Sequence, residues 1–133
     1  MSCSATLSAV PESKVSVVGP EIRLTAKSAL SLALAVNELA TNAAKYGALS
    51  TPDGHVEISW TLGGTTPSEK AQLVWTWQEF GGPVVASPTR RGFGTFLIER
   101  VLAADFGGSV RIQYPPPGVV CELRAPVPHN SKT

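Results

Sequence analysis

The sequence predicts an α+β fold, a two-layer sandwich in which helices cover one face of a sheet of about five or six strands. Residues 28–46 are rich in alanine and leucine and are followed by a glycine, as is typical of a helix with a C-terminal cap. Alternating apolar and polar segments occur in two pairs, each separated by a loop, and such pairs indicate neighbouring strands. They comprise residues 56–62 and 73–79, and residues 110–114 and 119–125.

Two short segments precede the long helix. Residues 14–18 and 21–25 each alternate apolar and polar side chains, and Gly19 and Pro20 lie between them. This pattern predicts two short strands joined by a tight turn.

A second helix is predicted over residues 93–106, because this segment is largely apolar and ends before two glycines. The residues that fall on one face of such a helix are Phe93, Leu97, Val101 and Ala104. The predicted element order is therefore β-β-α-β-β-α-β-β.

The composition is that of one globular domain. The chain has 133 residues, of which 43% are hydrophobic and 16% are charged, a balance that argues against disorder. The net charge of +1 gives no electrostatic basis for non-specific binding of nucleic acid. No apolar run approaches the roughly 20 residues that a membrane-spanning helix needs, and the first residues lack the pattern of a signal peptide.

The two cysteines, Cys3 and Cys121, are too few for a disulfide framework and lack the spacing of a metal site. We therefore expect a soluble, reduced, cytoplasmic domain without a nucleic-acid partner and without direct insertion into a membrane.

The long helix carries a polar stripe in its second half. Glu38, Asn42 and Lys45 are spaced i, i+4 and i+7, so they share one side of the helix. The apolar residues roughly opposite are Leu32, Val36, Leu39 and Ala43. Two interpretations are open, a solvated polar face and the polar floor of a pocket.

As a pocket floor, the stripe suits a site for a nucleotide and magnesium. The amide oxygen of Asn42 is a hard, neutral ligand of the kind that Mg²⁺ accepts. Lys45 could meet a phosphate as a point charge. Glu38 could orient a water molecule or a metal-bound water.

Two glycine-containing segments follow. Glu79 ends a predicted strand just before Gly81 and Gly82, where a carboxylate can accept a hydrogen bond from an exocyclic amine such as that of adenine. Gly92 and Gly94 open the second helix, where free backbone N–H groups can bind phosphate oxygens. Each segment alone is more typical of an ordinary turn or helix start, and the chain has no P-loop motif.

The three tryptophans divide into two groups. Trp60 and Trp75 alternate in step with aliphatic residues and are expected in the core. Trp77 lies on the same side of its strand as Glu79 and is a candidate contact of the site.

In combination, Glu-x-x-x-Asn on a helix, Glu-x-Gly-Gly at a strand end and Gly-x-Gly at a helix start resemble the ATP site of the GHKL superfamily. That group includes gyrase-type ATPases, a class of heat-shock chaperones and sensor histidine kinases. Residues 37–50, 75–83 and 91–98 are similar to the HWE family of bacterial histidine kinases. The resemblance covers about residues 14–126 and implies a two-layer sandwich of the Bergerat type with a mixed sheet of about five strands.

The resemblance also implies a role for each matching position. Glu38 and Asn42 would be catalytic, with Asn42 coordinating Mg²⁺ and Glu38 near the metal and the phosphates. Lys45 would reach the phosphates, Tyr46 would pack by the nucleotide, and Glu79 would read the adenine amine. The other implied nucleotide-binding positions are Gly81 and Gly82 in the first glycine box and Arg91, Gly92, Phe93, Gly94 and Thr95 at the second.

The implied activity is transfer of the γ-phosphate of ATP to a histidine on a separate dimerisation segment. A response regulator would then receive the phosphate, and the full-length protein would be a homodimer. We interpret residues 1–133 as this catalytic domain alone, without phosphoacceptor or sensor segments. His55 and His129 are expected to be solvated surface residues.

The chain departs from the family pattern in two places. Asn37 stands where the HWE family usually has histidine, and residues 83–91 are short for a nucleotide lid. Two alternatives therefore stay open beside the histidine kinase. One is a stand-alone GHKL serine kinase of the anti-sigma type, and the other is a degenerate interaction module that has lost ATP binding.

Overall fold

The computed structural model describes residues 14–63, 72–83, 93–113 and 118–126, with the backbone alone for residues 93–97. The elements in chain order are β1 (Val15–Val18), α1 (Ala26–Tyr46), a 3-10 turn (Ala48–Ser50), β2 (His55–Gly63), β3 (Gln72–Phe80), α2 (Phe93–Phe106), β4 (Ser109–Gln113) and β5 (Val120–Pro126).

The five strands form one mixed sheet in the order β1-β2-β3-β5-β4. β1 pairs with β2 in parallel, and the other three pairs are antiparallel. The parallel pair is connected through α1, since parallel neighbours need a crossover rather than a tight turn. The predicted α+β class and the mixed five-stranded sheet are confirmed.

The sheet buries one face. Along β3, Leu73, Trp75, Trp77 and Glu79 are buried while the residues between them are half-buried, as the twofold period of a strand requires. These side chains form one core with the buried sides of α1 and α2. Within the described ranges, no helix combines the length and the hydropathy that crossing a bilayer requires.

The predicted strand over residues 21–25 is wrong. These residues are not in a strand, and Thr25 instead caps α1, accepting a hydrogen bond at 3.0 Å from the backbone N–H of Ser28. Ile22 and Leu24 pack against the core from this connection. Their alternation therefore reflects a chain that covers the edge of the core, and not pairing with β1.

The predicted apolar face of α2 is wrong for Val101 and Ala104, while the side chains of Phe93 and Leu97 lie outside the described part of the structure. Ile98, Leu102 and Phe106 are the buried residues of this helix, whereas Val101 and Ala104 are exposed. At about 100° per residue the two sets lie on different sides of the helix. Because α2 is apolar on several sides, the sequence offers more than one stripe, and packing on the sheet selects among them.

A polar joint connects the two helices near opposite ends. The buried hydroxyls of Ser28 and Ser31, in the first two turns of α1, donate to the backbone carbonyl and the carboxylate of Asp105 near the end of α2. Lys27 adds an ion pair to the same carboxylate at 3.6 Å. The two helices also pack against each other.

Candidate functional site

The exit of α1 meets the end of β3 at a buried carboxylate. Glu79 is only 3% exposed, and both of its oxygens have donors. Oε1 accepts from the backbone N–H of Ala48 at 3.1 Å, and Oε2 accepts from the indole Nε1–H of Trp77 at 3.0 Å. Burial raises the pKa of Glu79 above 4.5, although these two hydrogen bonds favour the charged form and oppose the shift.

The first glycine box, Gly81 and Gly82, lies next to this contact between Glu79 and Ala48. Gly81 has a φ of +74°, a conformation that L side chains rarely adopt, and it turns the chain at the end of β3. At Gly82 a Cβ atom would lie 2.8 Å from the backbone nitrogen of Ala48. The two glycines therefore let the chain after β3 run directly against the chain after α1.

The polar stripe of α1 lies at the margin of the buried side of the helix. Glu38 and Asn42 are half-buried, and Lys45 is exposed. Tyr46, in the last turn, is 47% exposed. The stripe is thus open to solvent on one side, as a site for a phosphorylated ligand requires, but the same placement suits a solvated face.

The first half of α1 is less buried than its composition suggests. Leu30 and Leu34 are 62% and 58% exposed. Only the sides of α1 that face the sheet and α2 are therefore buried.

The second glycine box is described in part. α2 begins at Phe93, as predicted, so Phe93, Gly94 and Thr95 form its first turn. Arg91 and Gly92 lie outside the described residues.

The donor groups on α1 fit a magnesium ion. Asn42 offers an amide oxygen, and Glu38 offers a carboxylate one turn earlier, and both side chains are half-buried. Hard oxygen donors in small number suit Mg²⁺, which keeps several waters of its own. Among the described residues, no group of three or more histidine, cysteine or acidic side chains is placed to hold a metal.

Ala48 is the residue that the sequence pattern did not reveal. It is 0% exposed, and it provides the backbone N–H to Glu79 and the surface against which Gly82 lies. An alanine after a helix-capping glycine carries no chemical signal in the sequence. Trp77, expected only as a candidate contact, donates directly to Glu79.

A separate cavity of about 290 Å³ lies on β4 and β5. Its lining residues are Ser109, Arg111, Glu122 and Arg124. None of the predicted site residues contributes to it.

Comparison with known proteins identifies the fold and the family. No protein-family model matches the chain. A blue-light-activated histidine kinase of Brucella anthropi is 40% identical over 114 residues, which are 86% of this chain and 23% of that protein. The chain therefore spans about a quarter of the length of this curated relative.

Two solved structures share the fold. The histidine kinase domain of the Erythrobacter litoralis EL346 blue-light-activated kinase has a TM-score of 0.61 at 19% identity, covering 86% of this chain and 51% of that one. The ATP binding domain of PrrB from Mycobacterium tuberculosis has a TM-score of 0.55 at 21% identity, covering 87% and 82%.

The fold is accordingly that of a histidine kinase catalytic domain. The sequence relatives share more identity with this chain than the structural neighbours do, and they are named blue-light-activated histidine kinases. The sequence and structural matches together support assignment of the chain to the HWE-type histidine kinases of the GHKL superfamily.

Proposed function

We propose that this chain binds ATP with Mg²⁺ and positions the γ-phosphate for transfer to a histidine on a helical phosphoacceptor segment of a two-component sensor kinase. The observation that carries the proposal is the convergence of the α1 exit with the end of β3 at Ala48, in a domain whose relatives are named histidine kinases. The chain would supply the nucleotide site, and the acceptor histidine would come from outside it.

The two ends of the site have different chemistry. The turn formed by Gly81 and Gly82, with Glu79 behind it, offers backbone and a close-packed surface suited to a flat base. The margin of α1 offers a carboxylate, an amide and an ammonium group suited to a charged triphosphate. The start of α2 adds a helix N-terminus, whose backbone N–H groups favour anions.

Asn42 would hold the magnesium ion, with Glu38 orienting its waters. When bound, Mg²⁺ neutralises negative charge on the phosphates. Lys45 is exposed, so its long side chain is free to extend over a ligand that lies on the surface of α1. Tyr46 follows at the end of the helix, where it would pack beside the nucleotide.

Transfer would form a bond between an imidazole nitrogen of the acceptor and the γ-phosphorus and break the bond to the bridging oxygen, with ADP leaving. The domain contributes by holding the phosphates in line and stabilising their charge. Arg91, Gly92, Phe93, Gly94 and Thr95 are proposed to hold the phosphates from the side of α2.

The partners and the location of the protein are proposed from its similarity to histidine kinases. We propose that the acceptor segment passes the phosphate to a response regulator, that the full-length protein is a homodimer and that the domain works in the cytoplasm. The serine kinase and the degenerate module are not favoured, since the sequence relatives carry the name histidine kinase and the predicted nucleotide motifs are present.

Two measurements test the proposal. Calorimetric titration with ADP, with and without Mg²⁺, should show binding that strengthens with the metal. Incubation with radiolabelled ATP and a separately produced phosphoacceptor segment should label that segment with acid-labile phosphate, as expected of phosphohistidine. Acid-stable label would indicate a serine kinase, and no nucleotide binding by the folded chain would favour the degenerate module.

A further inference from the structure

We propose that Thr51 is a positioning residue for the base end of the nucleotide site: its hydroxyl holds Gly81 against the turn after α1, and Lys14 holds that turn from the start of β1. This inference rests on the proposed function and adds the contacts that keep the first glycine box in place. Neither Thr51 nor Lys14 lies in one of the predicted nucleotide-binding motifs.

The turn between α1 and β2 folds back on itself. The backbone N–H of Gly54 donates to the carbonyl of Thr51 at 3.4 Å. Gly54 is buried, and a Cβ atom there would lie only 1.8 Å from the carbonyl oxygen of Ala48. Because backbone fills this space, residues 51–54 are packed directly against the 3-10 turn that follows α1.

Gly81 lies on this turn. A Cβ atom on Gly81 would lie 3.0 Å from the carbonyl oxygen of Asp53 and 3.2 Å from the Cα atom of Gly54. The hydroxyl of Thr51 is 3.0 Å from the carbonyl oxygen of Gly81 and 3.3 Å from that of Ala48. A hydroxyl has one proton to donate, so the shorter distance favours Gly81 as the acceptor. Glycine restricts its own backbone least of all residues, so this hydrogen bond adds order that Gly81 itself does not supply.

Lys14 fixes the same turn from the first strand. It directly precedes β1, and its ammonium group donates to the carbonyl of Thr51 at 2.5 Å, across 37 positions in the sequence. Hydrogen bonds from a charged donor are stronger than those from a neutral one, and Lys14 is half-buried. Thr51 therefore joins three segments, because its carbonyl meets Lys14 while its hydroxyl meets Gly81.

These contacts lie at the base end of the proposed site. In the proposed function the base lies against the turn of Gly81 and Gly82, whereas Mg²⁺ and the phosphates lie along α1 and the start of α2. Loss of the Thr51 hydroxyl should therefore weaken the binding of the base and leave the contribution of the metal intact. Titration of ADP with Mg²⁺ and again in EDTA separates the two contributions, since the base is present in both.

Thr51→Val removes the hydroxyl and keeps the branched shape of the side chain. Thr51 has a φ of −119° and a ψ of 154°, an extended conformation that valine adopts readily, so the substitution adds no backbone strain. We expect ADP to bind about two- to fivefold more weakly, by the same factor with Mg²⁺ and in EDTA. Thr51→Ser keeps the hydroxyl and should recover most of the lost affinity. Unchanged affinity in Thr51→Val, a loss confined to the Mg²⁺ titration, or no recovery in Thr51→Ser overturns the inference.

Thr41→Val is the matched control. The hydroxyl of Thr41 donates to the carbonyl of Asn37 at 2.8 Å on the exposed side of α1, so this variant removes a comparable hydrogen bond away from the first glycine box. It should leave ADP affinity unchanged in both titrations. Thermal melting of each variant is recorded alongside. A lower Tm of Thr51→Val with unchanged ADP affinity of the folded chain would show a purely structural role and contradict the proposal.

The contact of Lys14 has a test of its own. Lys14→Met removes the ammonium group, keeps a long unbranched side chain and should weaken ADP binding about twofold, whereas Lys14→Arg keeps a charged donor and should weaken it less. Because Lys14 acts on Gly81 through Thr51, Lys14→Met should cause little further loss when Thr51→Val is already present. Two losses that multiply, or no effect of Lys14→Met, would contradict this connection.

The same titrations distinguish this inference from the proposed function. If the unaltered chain binds no ADP, the proposed function and this inference fall together. If the unaltered chain binds ADP and Thr51→Val binds it equally well, the proposed function stands and only this inference falls.

Discussion

Substitution of Gly82 by alanine tests the contact between the end of β3 and the exit of α1. The new Cβ atom would lie 2.8 Å from the nitrogen of Ala48 and 2.9 Å from its Cα. Both neighbours are backbone atoms of a fully buried residue, so they cannot turn aside as the tip of a flexible side chain can. The two segments must move apart, by roughly half an ångström to one ångström, to reach ordinary contact distance.

Overpacking of this kind costs about 1–3 kcal/mol of unfolding free energy. For a domain of this size, each kcal/mol lowers Tm by roughly 3–5 °C. The displacement also stretches the hydrogen bond between Ala48 and Glu79, so ADP affinity should fall further than the loss of stability alone would cause. A variant that remains fully folded at the assay temperature should therefore still bind ADP more weakly.

The assay is urea unfolding followed by tryptophan fluorescence, since Trp75 and Trp77 are buried in the core. Gly63→Ala at the end of β2 is the matched control, because in the described part of the chain no atom lies within 4 Å of its Cβ position. The control should stay within about 0.5 kcal/mol of the unaltered protein. Equal stability of the Gly82 and Gly63 variants would refute the close approach at Ala48.

Three further outcomes are expected. Burial raises the pKa of Glu79, so this group stabilises the fold fully below a pH of about 4.5, and the contribution is lost as the pH rises through the raised pKa. The difference in unfolding free energy between the unaltered chain and Glu79→Gln should therefore fall with rising pH. A difference that rises with pH would contradict the burial of this carboxylate. Asn42→Ala should weaken ADP binding about tenfold with Mg²⁺ but little in EDTA, whereas Asn37→Ala on the exposed side should change neither titration. Asp105→Ala should lower the unfolding free energy by about 1–3 kcal/mol by leaving the buried hydroxyl of Ser31 without its acceptor, whereas Lys27→Ala, which removes only a surface ion pair, should cost less than about 1 kcal/mol; equal losses would contradict the joint.

Much of the fold could be predicted because local patterns determined it. The alanine-rich composition of α1 and the strict alternation of β2 and β3 each have one structural solution, and the structure adopts it. The prediction of a strand over residues 21–25 was wrong because two alternating apolar residues suit a strand and an extended connection equally. The buried face of α2 could not be predicted because the sequence of a helix that is apolar on several sides does not indicate which side will pack against the sheet.

The site was predictable as a set of motifs and not as a set of contacts. Glu79, Gly81 and Gly82 could be singled out only because they occur together with the other two motifs, since each segment alone is typical of an ordinary turn or helix start. The partner of Glu79 in the turn after α1 could not be found, since a backbone N–H belongs to every residue except proline and Ala48 has no distinguishing side chain. Which donors a carboxylate meets depends on how distant segments cross.

The parallel pairing of β1 with β2 determines the order in which the domain assembles. The β2–β3 hairpin can close early, but β1 reaches its partner only after the whole of α1 has been looped between them, at a greater cost in chain entropy. β1 is also short and lies at the edge of the sheet, with Val17 and Val18 59% and 64% exposed. Amide protons of β1 should therefore exchange with solvent before those of β3, so that local opening begins at the edge and spares the strand that supports the proposed nucleotide site.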